Sequence, residues 1–364
     1  MPANNNILYI AESLKTACGG STVMKRNYNH LIQIFGKDNV HTHTISTDRP
    51  HGGLYKLFME LKTCSIFRYT DTYVKELERK IIDYQIKYIF FDSSLFGNLI
   101  KYVKYKHPYL ITVCFFHNVE TIMMKEHLKL SLSPKFLYRI AIAFINERNA
   151  CRASDKIITL NKRDFNIINK IYKRKADYMI PVTLEDKPLS YTPADNKTDG
   201  KPCGLFVGSF FPPNVQAVEW FAQHVMPYVN MDFIVCGSGM DKLADRYKEH
   251  KNLKIQGYVN NLEDMYRQAD FVLMPIMSGS GMKVKTAEAL QHAKLMIASR
   301  EAVEGYDVTQ AEAIVCETPD DYIKAITNKE NWGRQYNKAS RDLFESMYSF
   351  KSSINEFKKL FNRL

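Results

Sequence analysis

The chain has 364 residues, 45% of them hydrophobic and 24% charged, which is enough apolar material for about two domains. No apolar run approaches the roughly 18–20 residues that span a bilayer, and MPANNNILYIAES has no basic segment before its apolar run, so neither a membrane span nor a signal peptide is expected. The net charge of +11 belongs to the first half: residues 1–180 hold 28 Lys+Arg against 15 Asp+Glu, while residues 181–364 hold 22 against 24. A basic half suits an acidic partner such as anionic lipid or a phosphorylated substrate, although solubility charge has the same composition. The 7 cysteines are scattered without a C-x-x-C pair, so free thiols in a cytoplasmic protein are expected, not disulfides or zinc. Aromatics are abundant, but none interleave with basic residues in an RNA-binding pattern.

The predicted elements alternate. Ile7–Glu12 reads as a buried strand, Ser13–Ser21 as a polar loop holding Gly19 and Gly20, and Thr22–Phe35 as a helix. Strand Val40–Thr47 follows, then a helical region from Leu54 to Gln85 broken near Cys64, and strand Lys87–Asp92. A helix over Asn98–Lys106 stops before Pro108. Strand Leu110–Phe116 ends at His117-Asn118. Helices over Glu120–Lys129 and Pro134–Cys151 follow; Glu120 and Glu147 on them read as solvated helix faces, with site carboxylates as the alternative. Strand Lys156–Leu160, helix Lys162–Tyr172 and strand Tyr178–Val182 complete the first half.

Glu185–Cys203, with Pro188, Pro193 and Pro202, reads as a linker. Alternation then restarts: strand Gly204–Ser209, a helix capped by Asn214 and running to Val225, strand Asp232–Cys236, a tight turn at Gly237 and Gly239, a helix to His250, strand Leu253–Val259 and helix Leu262–Gln268. Next comes ADFVLMPIMSGSGMKVKTAEALQ: strand Phe271–Ile276, a glycine turn, and a helix from Met282. Strands Leu295–Ser299 and Ala313–Cys316 and a mostly helical tail from Asp320 close the chain. Two blocks of strand–helix alternation predict an α/β fold of two Rossmann-like doubly wound domains. The expected division is 1–184, a linker 185–203, 204–340, and a C-terminal helix in 341–364 packing back towards the first domain. Ligands of such sheets bind beyond the strand carboxyl ends, so Gly19-Gly20, His117, Ser209, Gly237, Gly279 and Glu304 would line one cleft if the domains face each other.

A glycine turn between strand and helix directs backbone N–H groups at an anion. Lys283 and Lys285 fall in the first helical turn, where the macrodipole disfavours cations. Either an anion binds there, or Lys285 simply pairs with Glu288 at i,i+3 for roughly 0.2–0.5 kcal/mol. The dinucleotide fingerprint fails, because Lys242 and Val284 stand where a small residue is needed. No P-loop, metal-ligand spacing or G-x-S-x-G elbow occurs.

The blocks GLFVGSFFPPNVQAVEWF, QGYVNNLEDMYRQADFVLMPI and GSGMKVKTAEAL, with MIASREAVEGY after them, resemble the C-terminal domain of GT-B glycosyltransferases. The nearest group is glycosyltransferase family 4 in its bacterial surface-polysaccharide branch. The resemblance is specific over residues 204–306 and weak before residue 110. It implies a retaining, metal-independent transferase moving a sugar from a UDP- or GDP-linked donor to a glycan or polyprenyl-diphosphate-linked acceptor. It implies no cofactor and no nucleic acid. The basic half would suit a cytoplasmic enzyme held peripherally at the inner face of an anionic plasma membrane.

The resemblance also assigns residues. Gly279, Ser280, Gly281 and Met282 would approach the donor diphosphate and Lys283 would neutralise it, supported by Lys285. Glu288 would hold the ribose. Tyr258 and Val259 would hold the nucleobase through backbone, Gly19 and Gly20 would let the donor phosphate approach, and Ser209 and Glu304 would lie close by. His117 would stand beside the donor sugar. Two departures stand out: Ser280 replaces the first glutamate of the family's spaced pair, and Ser209–Val215 lacks the usual basic residues. The alternatives are a nucleotide-sugar 2-epimerase of the same fold and a non-catalytic nucleotide-sugar-binding protein.

Overall fold

The computed structural model describes residues 5–12, 19–45, 53–67, 69–131, 133–190, 200–332 and 336–362. The elements run β1 (Ile7–Glu12), α1 (Gly19–Phe35), β2 (Val40–Ile45), α2 (Leu54–Thr63), α3 (Asp71–Asp83), β3 (Tyr88–Phe91), α4 (Gly97–Lys106), β4 (Ile111–Phe116), α5 (Glu120–Ser131), α6 (Lys135–Ala153), β5 (Lys156–Thr159), α7 (Lys162–Tyr172) and β6 (Tyr178–Met179). They continue with β7 (Cys203–Val207), α8 (Pro212–His224), β8 (Asp232–Cys236), β9 (Leu253–Gln256), α9 (Leu262–Gln268), β10 (Phe271–Met274), α10 (Val284–Gln291), β11 (Leu295–Ala298), β12 (Ala313–Val315), α11 (Pro319–Thr327), α12 (Lys338–Leu343) and α13 (Phe350–Asn362).

The chain divides into a first unit, Met1–Pro181 with Ile354–Leu364, and a second unit, Val182–Ser353. Each holds one parallel sheet of six strands, ordered β2-β1-β3-β4-β5-β6 in the first and β12-β11-β10-β7-β8-β9 in the second. Ile7–Ala11, Ile89–Phe91 and Phe271–Met274 are buried throughout. Such continuous apolar runs suit strands covered on both faces by helices. Helix α3 shows what decides the helices: Tyr73, Leu77 and Ile81 are buried at four-residue spacing. Each such burial contributes about 1.5–3 kcal/mol, more than the roughly 0.7 kcal/mol or less that each of its β-branched residues costs in helix propensity. The Thr70 hydroxyl caps α3 by accepting from Tyr73 N at 3.3 Å.

The order of strands locates the points where the chain reverses its direction of winding. In the first unit the path goes from β1 outward to β2, then returns to place β3 on the other side of β1. In the second it goes β7, β8, β9, then returns to place β10 beside β7. The carboxyl ends of β1 and β3, and of β7 and β10, therefore flank crevices of the kind that bind ligands in open α/β sheets.

Several expected boundaries shift. Gly19 and Gly20 are not loop residues but open helix α1, and the expected loop Ser13–Cys18 lies outside the described residues, as do Ser46, Thr47 and linker residues 191–199. The helical region after Leu54 breaks where expected, with Cys64 in the left-handed conformation at the end of α2. Asn214 does not cap α8; that helix starts at Pro212, because proline suits the first helical position. Met240–Tyr247 is a 3-10 run, not an α-helix. In the tail, the segment returning to the first unit begins at Ile354, not residue 341. Residues before it close the second unit, where Arg341 Nη1 donates to Gln291 O at 2.8 Å. Past it, Phe357 packs edge-on to His30 at 4.8 Å and Phe361 to Phe35 at 4.9 Å. Cys64, Cys114, Cys151, Cys203, Cys236 and Cys316 are free thiols, and Cys18 is outside the described residues.

Candidate functional site

In the second unit the turn after β10 runs from Pro275 to Lys283. Gly279 and Gly281 adopt positive φ, 142° and 66°, which side chains rarely allow. Lys283 is not in the first helical turn, as its sequence position suggests, but is the N-cap of α10, in extended conformation and with no side-chain cap. The Lys283 side chain therefore caps none of the first-turn N–H groups, of which Thr286 N donates to Lys283 O at 3.0 Å. The Lys283 ammonium pairs with Glu301 and also donates to Gly281 O at 3.0 Å. Its backbone carbonyl accepts from Tyr306 OH at 2.7 Å, and Thr286 Oγ1 donates to Ala302 O at 2.6 Å. The loop after β11 thus braces the turn.

Lys285 spends its hydrogen bond across the crevice, on Asn214 Oδ1 at 2.7 Å, with its ammonium 4.4 Å from the centroid of the Phe206 ring. Asn214 Nδ2 in turn donates to Ser209 O at 2.8 Å. Gly208 makes room for this pair: a Cβ there would lie 3.0 Å from Lys285 Nζ and 2.9 Å from Asn214 Nδ2. Burial pushes the Lys285 ammonium down to about 7, against the opposing pull of Glu288. Burial raises the Glu288 carboxyl, while Lys285 and then Lys187 lower it. Burial thus disfavours the charged form of both groups, and each partly restores the charge of the other.

The neighbouring turns keep this floor close to the sheet. Gly237 (φ 146°) lies so near Gly208 that a Cβ on it would sit 2.1 Å from Gly208 O, so Gly237 serves the packing of two strand ends, as its turn composition suggests. Gly237 N donates to Gly257 O at 3.0 Å. The next residue, Tyr258, is exposed and Val259 half-buried. Ser280 is half-buried and Met282 buried. Glu304 lines, with Ser299, Arg300, Glu301, Met277 and Glu317, a cavity of about 370 Å³ beyond the ends of β10, β11 and β12.

The first unit has its own polar centre at the β1/β3 crevice. Asp92, fully buried just after β3, accepts from Asn27 Nδ2 at 2.8 Å, from Tyr9 OH, and from His117 Nε2 at 2.8 Å. Because Nε2 faces a carboxylate, the proton is assigned to Nε2 and the lone pair to Nδ1. That Nδ1 is buried without a hydrogen-bond partner among the described residues. His117 is thereby an oriented acceptor, its ring held 4.9 Å from Phe115. The Tyr9 hydroxyl is raised well above its ordinary range by burial and then by Asp92. Arg26, buried over the Phe115 and Phe357 rings, is lowered to about 10 by burial, with Asp92 and Tyr9 acting against it.

Glu120 and Glu147 are not solvated helix faces; both are buried. Glu147 caps α5, accepting from Glu120 N at 2.6 Å, Thr121 N at 3.1 Å, Thr121 Oγ1 at 2.6 Å and Tyr172 OH at 2.7 Å. Burial, and then the nearby Glu147 charge, push the Glu120 carboxyl up to about 8.

The structure therefore gathers Ser209, Gly279, Ser280, Gly281, Met282, Lys283, Lys285 and Glu288 around the second unit's crevice. Gly19, Gly20 and His117 belong to the first unit. Three residues escaped sequence reasoning: Asp92, Asn214 as the partner of Lys285, and Glu301 as the partner of Lys283. A carboxylate directly after a buried strand, in KYIFFD, was the one visible signal for Asp92. Among the described residues no group of His, Cys, Asp or Glu could hold a metal ion, and no helix is long and apolar enough to cross a membrane.

Residues 201–329 match the family model described as glycosyl transferases group 1. An uncharacterized 44.6 kDa protein in the cps region of Klebsiella pneumoniae is 19% identical over 244 residues, 63% of this chain and 60% of that protein's length. Among solved structures, Anabaena Alr3699/HepE in complex with UDP-glucose superposes with a TM-score of 0.68 at 12% identity, over 99% of this chain and 100% of that one. The lipopolysaccharide outer core galactosyltransferase WaaB gives 0.66 at 11%, over 99% and 100%. WaaG, a glycosyltransferase involved in lipopolysaccharide biosynthesis, gives 0.64 at 13%, over 97% and 99%. The two parallel-sheet α/β units are those of the GT-B fold.

Proposed function

We propose that this chain is a retaining glycosyltransferase of the family 4 type, moving a sugar from a nucleotide-sugar to a glycan or lipid-linked glycan in surface polysaccharide biosynthesis. The observation that carries the proposal is the β7/β10 crevice. Two ammonium groups, an uncapped helix start and two positive-φ glycines converge there, inside the stretch that matches glycosyl transferases group 1. The Gly279–Gly281 backbone and the start of α10 would take the donor diphosphate. Lys283 and Lys285 would balance the charge that grows on the leaving diphosphate as the glycosidic C–O bond breaks, without a metal. At about 1.5 Å per residue, Glu288 lies roughly 7–8 Å along the axis from Lys283, a diphosphate-to-ribose span.

Lys283 is already paired with Glu301, so an arriving diphosphate must share or displace that carboxylate. In the first unit the acceptor nitrogen of His117 suits a donor-sugar hydroxyl. Attack would come from the face of the leaving group, with the departing phosphate helping to take the acceptor proton, so no protein nucleophile is assigned. The similar structures supply context only: HepE was solved with UDP-glucose, and WaaG is involved in lipopolysaccharide biosynthesis.

The test is incubation with UDP- and GDP-sugars, with and without polyprenyl-diphosphate-linked glycan acceptors. Nucleotide release that needs the acceptor supports the proposal, and retention is read from the anomeric coupling of the product. Epimer formation without acceptor would replace it by the epimerase reading. Absence of any thermal shift with millimolar nucleotide or nucleotide-sugar would overturn it.

A further inference from the structure

We infer that Asn214 is a positioning residue for glycosyl transfer: its side-chain amide holds the Lys285 ammonium at the carboxyl end of β7 and, being uncharged, leaves the charge of that lysine to the donor diphosphate. The inference rests on the glycosyl-transfer reading and adds to it a residue that the resemblance does not assign. Asn214 stands in the first turn of α8, which has no side-chain cap. Its Nδ2 donates instead to Ser209 O at 2.8 Å, in the loop that leads from β7. That bond fixes the amide. With Nδ2 on a carbonyl, Oδ1 is turned to Lys285 Nζ, 2.7 Å away. The flipped amide would set oxygen against oxygen at Ser209 and donor against donor at Lys285. The two side chains come from different helices, α8 and α10, and meet because β10 pairs with β7. Space is kept for them: a Cβ on Gly208 would lie 3.0 Å from Lys285 Nζ and 2.9 Å from Asn214 Nδ2. The fully buried Phe206 ring has its centroid 4.4 Å from the same ammonium.

The kind of partner carries the argument. Lys283, two residues earlier, is paired with the Glu301 carboxylate. Lys285 is given an amide oxygen and an aromatic face. Both attract and orient a cation, and neither cancels its charge. The charged groups that act on Lys285 are Glu288, one turn further along α10, and Lys283, and they oppose each other. Burial and then Glu288 push the Cys236 thiol of β8 up to about 11, so it stays neutral. A brace for the loop after β7 needs only the Nδ2 bond to Ser209 O. The Oδ1 bond does something more: it orders a long, flexible side chain beside the glycine turn before any ligand arrives, so that binding does not have to. An aspartate of the same shape would keep the position and annul the charge.

The test uses the full chain with the substitutions Asn214→Asp and Asn214→Ala, both checked for folding by circular dichroism. In the free protein, carbon NMR of labelled lysine side chains, with Lys285 assigned by its loss in Lys285→Met, should show Asn214→Asp moving the Lys285 titration up by about one pH unit or more. UDP and GDP are then titrated by calorimetry at pH 8 in two buffers of different ionisation enthalpy. The wild type is expected to take up a proton on binding. Asn214→Asp should lose that uptake and bind about tenfold or more weakly. Asn214→Ala should keep the uptake and lower kcat about tenfold or more with the nucleotide-sugar that the wild type turns over. A loop brace alone predicts equal losses in the two variants, with the Lys285 titration and the proton uptake unchanged. That result, or wild-type affinity and turnover in both variants, overturns the inference and leaves the glycosyl-transfer reading standing. Binding of neither nucleotide by the wild type overturns that reading, and the inference with it.

Discussion

Replacing Asp92 by asparagine keeps the shape of the first unit's polar centre and changes only its chemistry. The carboxylate accepts from Asn27 Nδ2, Tyr9 OH and His117 Nε2, and the amide that replaces it has one acceptor oxygen and two N–H donors facing three donors. Its one oxygen cannot replace both carboxylate oxygens, and Tyr9 OH keeps Met24 O, at 3.1 Å, as its other acceptor. Hydrogen bonds to a charged group contribute about 1.5–3 kcal/mol, and an unsatisfied buried donor costs about 1–3 kcal/mol. Shape retention and partial re-pairing offset part of this, so Asp92→Asn should cost about 2–4 kcal/mol. Both tryptophans, Trp220 and Trp332, lie in the second unit. Urea unfolding followed by tryptophan emission therefore reports that unit, whereas far-UV circular dichroism reports both. The variant should bring forward the dichroism transition more than the emission transition. The imidazole of His117 would also lose its carboxylate, allowing the other tautomer, which side-chain nitrogen NMR can read. A loss under about 0.5 kcal/mol, with the His117 tautomer unchanged, would refute the hub assignment.

Lys283→Ala should lower turnover by about 10²–10³, as loss of one charge-stabilising donor does elsewhere; near wild-type kinetics would remove the diphosphate role. Lys285, lowered to about 7, is largely neutral at pH 8, and a bound diphosphate should recharge it. Nucleotide affinity should accordingly fall as pH rises above about 7, and calorimetry at pH 8 in two buffers of different ionisation enthalpy should show proton uptake that Lys285→Met abolishes. Glu120 has its folded pKa raised to about 8 from an ordinary 4.5, so the native state holds a proton the unfolded state releases between those values. The stability this contributes is fully present below the unfolded pKa and is lost as pH rises through about 8. Glu120→Gln, which imitates the protonated acid, should therefore gain stability relative to wild type at pH 8 and little at pH 5, as read by denaturant midpoints at the two values. Equal effects at both would show that Glu120 is ionised in the fold.

How much was legible beforehand differs by residue. Amino-acid order was enough to specify the two doubly wound blocks, because a parallel strand covered on both faces needs a continuous apolar run such as ILYIAE or DFIVC, and each must be followed by a crossover helix. It also specified the glycine turn and the lysines beside it, since positive φ at Gly279 and Gly281 is a local demand. It could not show which strands are neighbours. Strand order is set by non-local packing, and only that order places β10 beside β7 and so brings Asn214, seventy-one positions before Lys285, onto its ammonium. The same holds for Asp92 meeting Tyr9 across the β1/β3 pair, and for Glu301 reaching Lys283 from beyond β11. Glu120 and Glu147 were misread for the same reason: helical spacing reports a face, but whether that face meets water depends on what the rest of the chain packs against it. Local geometry was written in residue order; charge pairing was decided only when the sheets closed.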